Sequence, residues 1–153
     1  MKYIYITAVL FLFTPDVSAA GGAVIKTAPE PEVLFVINFD TGSFDGKKLT
    51  LNGNGLSNVI YFSDRPERVA GHMGVNGFLA LWAKGSGSLE KYQPKSVLSL
   101  FINNEQKDYV LTVSNPVVNG TYLVFDAVVI DGGPPESFNT GGLFMDGFPD
   151  GFF

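Results

Sequence analysis

Short runs of apolar residues alternate with turn sequences along most of the chain, and this pattern predicts a mainly β protein. The run at 33–39 is apolar at nearly every position, which favours a strand buried on both faces. The other runs are strand-length, and several alternate between apolar and polar residues, as strands with one face on a core do. They predict strands at 48–51, 59–62, 96–102, 109–113 and 122–130. Turns are predicted at 40–43, 45–46, 52–55, 103–107 and 115–120.

Helical signals are confined to the middle of the chain, within 64–84. Asp64 is followed three residues later by Glu67, with Pro66 in the first turn, which is typical of a helix start of the capping-box type. Gly71 then limits this helix to about two turns. We therefore expect a first short helix from Asp64 to Gly71.

A second short helix is predicted at 77–84, with Asn76 as its N-cap and a glycine directly after it. Phe78, Leu81 and Trp82 are spaced so that they lie on one side of such a helix. That side is expected to face the core.

Six to seven strands with one helical insert around 64–84 predict an antiparallel β-sandwich or a small barrel. This domain is expected to cover 33–131, after a flexible leader at 21–32 that contains two prolines. The segment 132–153, rich in glycine and phenylalanine, is predicted to be a C-terminal tail. Within this segment, residues 141–146 are the candidate for one extra strand at the edge of the sheet.

The first twenty residues have the layout of a secretory signal peptide. Lys2 supplies the positive start, 3–13 is an apolar run, and small residues suited to cleavage follow at 17–20. A run of this length is too short to cross a bilayer, which takes about 20 residues. The sequence thus predicts an exported protein, periplasmic or extracellular, with no membrane insertion after signal cleavage.

Composition narrows the possible partners and cofactors. The chain has no cysteine, so a disulfide cannot contribute to its stability, but 46% of its residues are hydrophobic and can build a core. Its net charge of −5 argues against nucleic acid and anionic membrane surfaces as partners. With one histidine and no cysteine, a zinc site is not expected. No cofactor and no metal are predicted.

The scarce cationic and aromatic residues are concentrated at one place in the chain. Both arginines, the only histidine and the only tryptophan lie within eighteen residues of each other. Arginine can hold a carboxylate or phosphate with two parallel hydrogen bonds, so the cluster is a candidate anion-binding edge. Alternatively the acidic residues cap the helix and the arginines pair with Asp126 or backbone carbonyls, which is a structural role. The candidate binding residues are Asp64, Arg65, Glu67, Arg68, His72 and Trp82.

The same region resembles a family of small exported bacterial proteins of unassigned function. The matching pieces are Leu-Thr-Leu-Asn-Gly at 49–53, Tyr-Phe-Ser-Asp-Arg-Pro-x-Arg at 61–68, and Gly-His at 71–72. The resemblance covers about half of the chain after residue 20, and the central motif is its most specific part. It implies an exported domain and no particular chemistry.

Together these observations predict an exported binding or structural module, more in keeping with a non-enzymatic protein than with an enzyme. No catalytic residue is assigned. One alternative is a small hydrolase or anion-binding enzyme centred on 63–72, with Asp64 or Glu67 as acid or base. The other is a self-assembling surface protein that associates through 132–153 or an open strand edge. A protein partner would use the same tail.

Overall fold

The computed structural model of the chain describes residues 33–63, 68–83 and 93–147. These residues form eight β-strands, one α-helix and a single 3-10 turn at Asn54–Ser57. The helix α1 is Val75–Trp82. The strands are β1 Leu34–Phe44, β2 Lys48–Asn52, β3 Val59–Ser63, β4 Val69–Met73, β5 Lys95–Ile102, β6 Glu105–Asn119, β7 Tyr122–Asp131 and β8 Ser137–Asp146.

All strand pairs are antiparallel, and six of the strands close into a barrel in the order β1-β2-β7-β6-β5-β8 and back to β1. The predicted mainly β class, with an antiparallel small barrel and a short helix, is confirmed. Closure leaves no open edge along this ring, because each of the six strands has a neighbour on both sides. β3 and β4 are added to the ring and extend the wall.

β1 makes this extension possible because its two halves have different neighbours on one side. Its C-terminal half, Thr41–Phe44, pairs with β2, whereas Leu34–Val36 pairs with β3. On its other side β1 pairs with β8 from Leu34 to Ser43. The wall therefore splits along β1, and the chain passes from the barrel onto an added two-stranded flap, β3 and β4.

The core lies inside the barrel, where alternate residues of each strand point inwards. Phe35, Ile37 and Phe39 are the inward residues of β1, and each is at most 1% exposed. α1 adds Phe78 and Trp82 to this core. The ring centroid of Phe78 lies 5.5 Å from that of Phe35, and the Trp82 ring lies 6.0 Å from Phe125 on β7. The helix is thus held by aromatic contacts at both ends.

The second predicted helix is present, with a shifted start. α1 begins after Gly74 rather than after Asn76, and it has no side-chain cap. Phe78 and Trp82 are buried as expected, and Leu81 is half-buried against the core. Burial of its apolar side, rather than a capping hydrogen bond, accounts for this helix.

The first predicted helix is wrong where the structure describes it. Residues 69–71 belong to β4, which pairs with β3 from Ser63↔Val69 to Val59↔Met73. The capping-box residues Asp64 and Glu67 lie outside the described residues. A two-turn helix makes few hydrogen bonds for its nucleation cost, so a five-residue ladder onto β3 outweighs the local capping signal.

Two predicted turns are strand instead. The polar residues at 40–43 continue β1, and those at 115–119 continue β6 beyond a bulge between Ser114 and Val117. In both places, hydrogen bonds to neighbouring strands satisfy backbone N–H and C=O groups of residues that by themselves favour turns. The predicted turn at 103–107 contracts to Asn103 and Asn104, both with positive φ.

The segment predicted as a tail contributes a principal strand. β8 is ten residues long and lies between β1 and β5, so the edge-strand prediction for 141–146 is wrong. The signal peptide at 1–20, the leader at 21–32 and residues 148–153 lie outside the described residues. Within the described part, no helix has the length and apolar character needed to cross a membrane.

Candidate binding face

Two of the candidate binding residues lie on or next to strand β4 of the flap. Arg68 directly precedes β4 and His72 lies within it, and both are exposed. The helical prediction placed them on one face because they are four residues apart; in a strand the same spacing also places them on one face, because four is an even number. Asp64, Arg65 and Glu67 lie outside the described residues.

Trp82 does not join them. It is only 5% exposed and faces the barrel interior, 6.2 Å from Phe78 between ring centroids, whereas His72 is exposed on β4. Its indole Nε1 is buried without a hydrogen-bond partner among the described residues. Trp82 is therefore a core residue, and its ring is too buried to contribute to an exposed binding surface with His72.

The register of the sheet aligns apolar residues in a lateral row on the outside of the barrel. Val97 on β5 is opposite Phe144 on β8, and Phe144 is opposite Val36 on β1. Val36 is opposite Ile60 on β3, and Ile60 is opposite His72 on β4. Neighbours in such a row are about 4.5–5.5 Å apart at Cβ, so their side chains contact each other.

A second row runs beside the first. Leu34 on β1 is opposite Phe62 on β3, and Phe62 is opposite Ala70 on β4. On its other side Leu34 faces Asp146, which ends the row with a charge. The two rows together form a surface that we name the apolar face; its residues are Leu34, Val36, Ile60, Phe62, Val97 and Phe144.

The apolar face is open to solvent. Phe144 is 45% exposed, and Ile60 and Phe62 are each 37% exposed. Val36 is buried, although it points outwards, because its row neighbours lie on both sides of it. These three large side chains are exposed in adjoining positions and form a continuous apolar patch, which makes this face a candidate binding surface.

One glycine shapes the centre of this face. A Cβ on Gly142 would lie 3.2 Å from the Cε2 atom of Phe144 and 3.6 Å from Oδ1 of Asn38. The Phe144 ring therefore leans along its own strand over Gly142, and a side chain at 142 would require the ring to shift by a few tenths of an ångström. Ser99 on β5 is opposite Gly142 on β8, next to the row of Val97 and Phe144. Polar groups therefore border the apolar face on this side.

Asp108 belongs to this polar border. Hydrogen bonds, first from Ser99 and then from Gln106, hold the pKa of its carboxyl below the ordinary value. The amide of Gln106 lies 3.1 Å from each carboxylate oxygen of Asp108. The border is accordingly anionic at neutral pH.

The face ends at a strand edge. Among the described strands, β4 pairs with β3 alone, so none of the described strands lies along its other side. The row through Val36 and Ile60 reaches this edge at His72, and the row through Phe62 reaches it at Ala70. An extended segment placed beside β4 would continue both rows.

Asp126, the carboxylate expected to pair with the arginines, belongs to a different cluster on the opposite part of the barrel. It accepts hydrogen bonds from Lys48 on β2 and from Nδ2 of Asn115 on β6, the latter at 2.8 Å. These two hydrogen bonds, that of Lys48 first, lower the pKa of the Asp126 carboxyl. The cluster joins three strands and has a structural role.

Three cavities formed by described residues are lined by residues other than Arg68 and His72. One has a volume of about 150 Å³ and is lined by Leu56, Val75 and Tyr122 among others. Another lies beside the Lys48 cluster and a third beside Trp82. Among the described side chains, no group of three or more His, Asp or Glu residues is placed to hold a metal.

Comparisons with protein-family models, with curated proteins and with solved structures found no match to this chain. The residues of the apolar face were missed in the sequence. Each of them is an ordinary strand residue there, and only the strand register places them side by side. The available signal was the double-sided apolar character of 33–39, which was assigned to burial in a central strand and here reflects one face in the core and one on the outside of the barrel.

Proposed function

We propose that this protein is an exported, non-enzymatic binding module that holds a short extended apolar segment of a protein partner on the apolar face and along β4. The observation that supports this proposal best is the row of outward apolar residues that ends at His72 on the edge of the sheet. Export is supported by the signal-peptide pattern at 1–20.

The dimensions of the face favour a segment over a folded partner. Four strands about 4.8 Å apart and two rows about 6.7 Å apart give an area on the order of 250 Å². A stable complex between folded proteins buries about 800 Å² on each partner. A strand of five or six residues needs a smaller contact area, because its backbone hydrogen bonds to the edge of β4 add to the side-chain contacts.

The mode of binding is strand addition. An extended segment next to β4 pairs its backbone with the edge, which supplies affinity, and its alternate side chains lie beside His72 and Ala70 at the end of the two rows of the apolar face, which supplies specificity. His72 and Ala70 are the β4 residues beside which those side chains would lie. A small and a polar side chain at these positions leave room for large apolar residues of the segment.

Binding is tested with an array of seven-residue peptides whose apolar residues occupy alternate positions, beside scrambled versions of the same composition. Fluorescence anisotropy of the best binder then compares the wild-type chain with Ile60→Lys, which places a charge in the row. Val128→Lys is the matched control, because Val128 is also an outward strand valine, 67% exposed, but on β7. We expect Ile60→Lys to weaken binding about tenfold or more, which is about 1.4 kcal/mol, and Val128→Lys to leave it unchanged.

Strand addition makes a second, backbone-specific prediction. N-methylation of alternate amides of the peptide should abolish binding in one of the two possible phases and leave it nearly intact in the other, because alternate residues of a strand face the same neighbour. Equal loss of affinity for Ile60→Lys and Val128→Lys, or indifference to N-methylation in both phases, would reject the proposal.

Export is tested separately by expression in a bacterium with two membranes. The chain is expected in the periplasmic or culture fraction, with a new N-terminus near residue 20, while a version without residues 2–20 stays in the cytoplasm. Retention of residues 1–20 in the exported fraction would contradict a cleaved signal.

A further inference from the structure

A cavity of about 150 Å³ lies at one end of the barrel and shares no lining residue with the apolar face. Three parts of the chain enclose it: the connection between β2 and β3, the first residue of α1, and the β6–β7 hairpin turn with the strand residues beside it. These parts are distant in the sequence, so only the tertiary structure forms the cavity.

The lining of the cavity changes from apolar at its floor to polar at its rim. Leu56 and Leu123 are buried, and Val75 and Val118 are half-buried. Ser57 and Thr121 are exposed, as is Tyr122 beside them. This gradient suits a molecule whose apolar body lies on the floor and whose polar group lies at the rim.

The hydroxyl of Ser57 determines which polar group fits the rim. Its Oγ donates a hydrogen bond to the backbone carbonyl of Asn54 at 2.9 Å. Because a hydroxyl has one hydrogen and two acceptor lone pairs, the Ser57 oxygen can still accept a hydrogen bond. A ligand hydroxyl can donate to it, whereas an ionised carboxylate has no hydrogen for this contact.

The walls of the cavity are held by contacts within the protein. The Asn54 backbone N–H donates to Oδ2 of Asp40 at 3.2 Å, and a Cβ on Gly55 would lie 2.7 Å from the Asn38 carbonyl oxygen, so this connection packs directly on β1. The opposite wall is a hairpin closed by the pairs Val118↔Leu123 and Asn119↔Tyr122. The cavity is therefore preformed, which lowers the cost of ordering the protein on binding.

We propose that this cavity is a second binding site, for a small neutral molecule with an apolar body of about six non-hydrogen atoms and one hydroxyl group, of the phenol or cyclic alcohol class. A cavity of about 150 Å³ accommodates a molecule the size of benzene. Its apolar floor offers water no hydrogen-bond partner, whereas an apolar body there buries area and gains dispersion contacts. The site is independent of peptide binding on the apolar face.

The test compares phenol with toluene, which have the same number of non-hydrogen atoms and nearly the same shape, although only phenol has a hydroxyl. Each is titrated into the chain 21–153 and followed by two-dimensional ¹H–¹⁵N NMR. We expect phenol to bind with a Kd of about 1 mM, since so small a molecule buries little area, with shifts centred on the amides of Leu56 and Leu123. Ser57→Ala should weaken phenol binding about fivefold, as expected for the loss of one neutral hydrogen bond, and leave toluene binding unchanged.

A cavity-filling pair locates the site. Val75→Phe should abolish the binding of both molecules because the larger ring occupies the cavity. Val110→Phe is the matched control, since Val110 is also half-buried but lies on β6 outside the lining, and it should preserve binding. Far-UV circular dichroism confirms folding, and Val118→Phe on the opposite wall replaces Val75→Phe if the latter does not fold.

Four results would overturn the proposal: no binding of phenol by the wild-type chain, equal loss of phenol and toluene binding in Ser57→Ala, full binding in the filled variant, or shifts centred on Ile60 and Phe144. None of them bears on the peptide measurements, because the two sites have no residue in common.

Discussion

The Tyr61 side chain lies across Gly71 on the neighbouring strand, so that a Cβ added to Gly71 would be 2.6 Å from the Tyr61 Cζ atom. Tyr61 and Gly71 are directly opposite in the β3–β4 ladder. The ring packs against the barrel core and closes the inner side of the flap. The exposed apolar face on the outer side depends on this contact, because it fixes β4 beside β3.

Gly71→Ala should therefore lower the free energy of unfolding by about 1–3 kcal/mol, the usual range for overpacking. Urea unfolding measures the change. Gly77→Ala in α1 is the control: its Cβ would meet nothing nearer than 3.9 Å, and alanine should stabilise the helix by up to about 1 kcal/mol. Equal effects of the two substitutions would show that Tyr61 yields to the added methyl group.

Phe78→Ala should be among the most destabilising substitutions in the chain. Phe78 is fully buried and packs edge-to-face on both Phe35 and Trp82. Removing such a ring costs about 3–5 kcal/mol, through lost burial and the cavity that remains. Chemical unfolding checks the value, and Leu79→Ala, at a half-buried neighbouring position, should cost clearly less.

Stability should depend on pH through Asp126. Its pKa in the folded protein is below the ordinary value of 3.8, so ionised Asp126 contributes stability above about pH 4 that is lost as the pH falls through the folded-state pKa. Asp126→Asn should accordingly lower the urea midpoint at pH 7, and its difference from wild type should shrink between pH 4 and pH 2.

The control for this pH series is Asp131→Asn, an exposed aspartate at the end of the same strand. It should retain the difference between pH 7 and pH 2 seen in the wild type. A constant difference between Asp126→Asn and wild type over the whole range would contradict the contribution assigned to the Lys48 and Asn115 hydrogen bonds.

The β5–β6 hairpin should respond to its second turn residue. Asn103 and Asn104 have φ values of 53° and 63°, the left-handed conformation required by a type I′ turn. Asn104→Ala should lower stability by about 1 kcal/mol, because a β-carbon without a polar group is disfavoured there. Asn104→Gly should not lower it. Thermal unfolding of both variants measures the contrast, and equal melting temperatures would contradict the turn assignment.

Truncation should separate the two parts of the C-terminal region. Removing 132–153 deletes β8, which pairs with β1 and β5, and should prevent folding. Ending the chain after Gly147 keeps all eight described strands and should keep the β circular dichroism spectrum and cooperative unfolding. A folded chain without 132–153 would show that the barrel closes without β8. The shorter truncation is also the correct one for measuring self-association.

Local patterns located six of the eight described strands and the buried side of α1. The strand starts at Lys48, Val59 and Tyr122 coincide with those predicted from apolar alternation, since the inward residues must be apolar wherever the strand lies. Phe78 and Trp82 were assigned to the core from helical spacing for the same reason. These predictions concern only which side of an element meets the core.

The helix expected from Asp64 to Gly71 is wrong over residues 69–71, because its signals are local whereas the strand pairing that replaces it is not. A cap is worth about 1 kcal/mol, but β4 gains a ladder to β3 and the contact of Tyr61 with Gly71, which no local pattern displays. The same explanation applies to residues 40–43. They favour a turn by themselves, but they continue β1 because this part of the strand pairs with β2 on one side and with β8 on the other.

By itself, the sequence determined the class of fold, the position of most strands, the exclusion of disulfides and the clustering of Arg68 with His72, since composition and short-range periodicity carry that information. Only the tertiary structure decided that β8 closes a barrel and that Val36, Ile60 and Phe144 form one outer surface. Both depend on register between residues as much as a hundred positions apart, and register is set by the packing of the whole core rather than by any one strand.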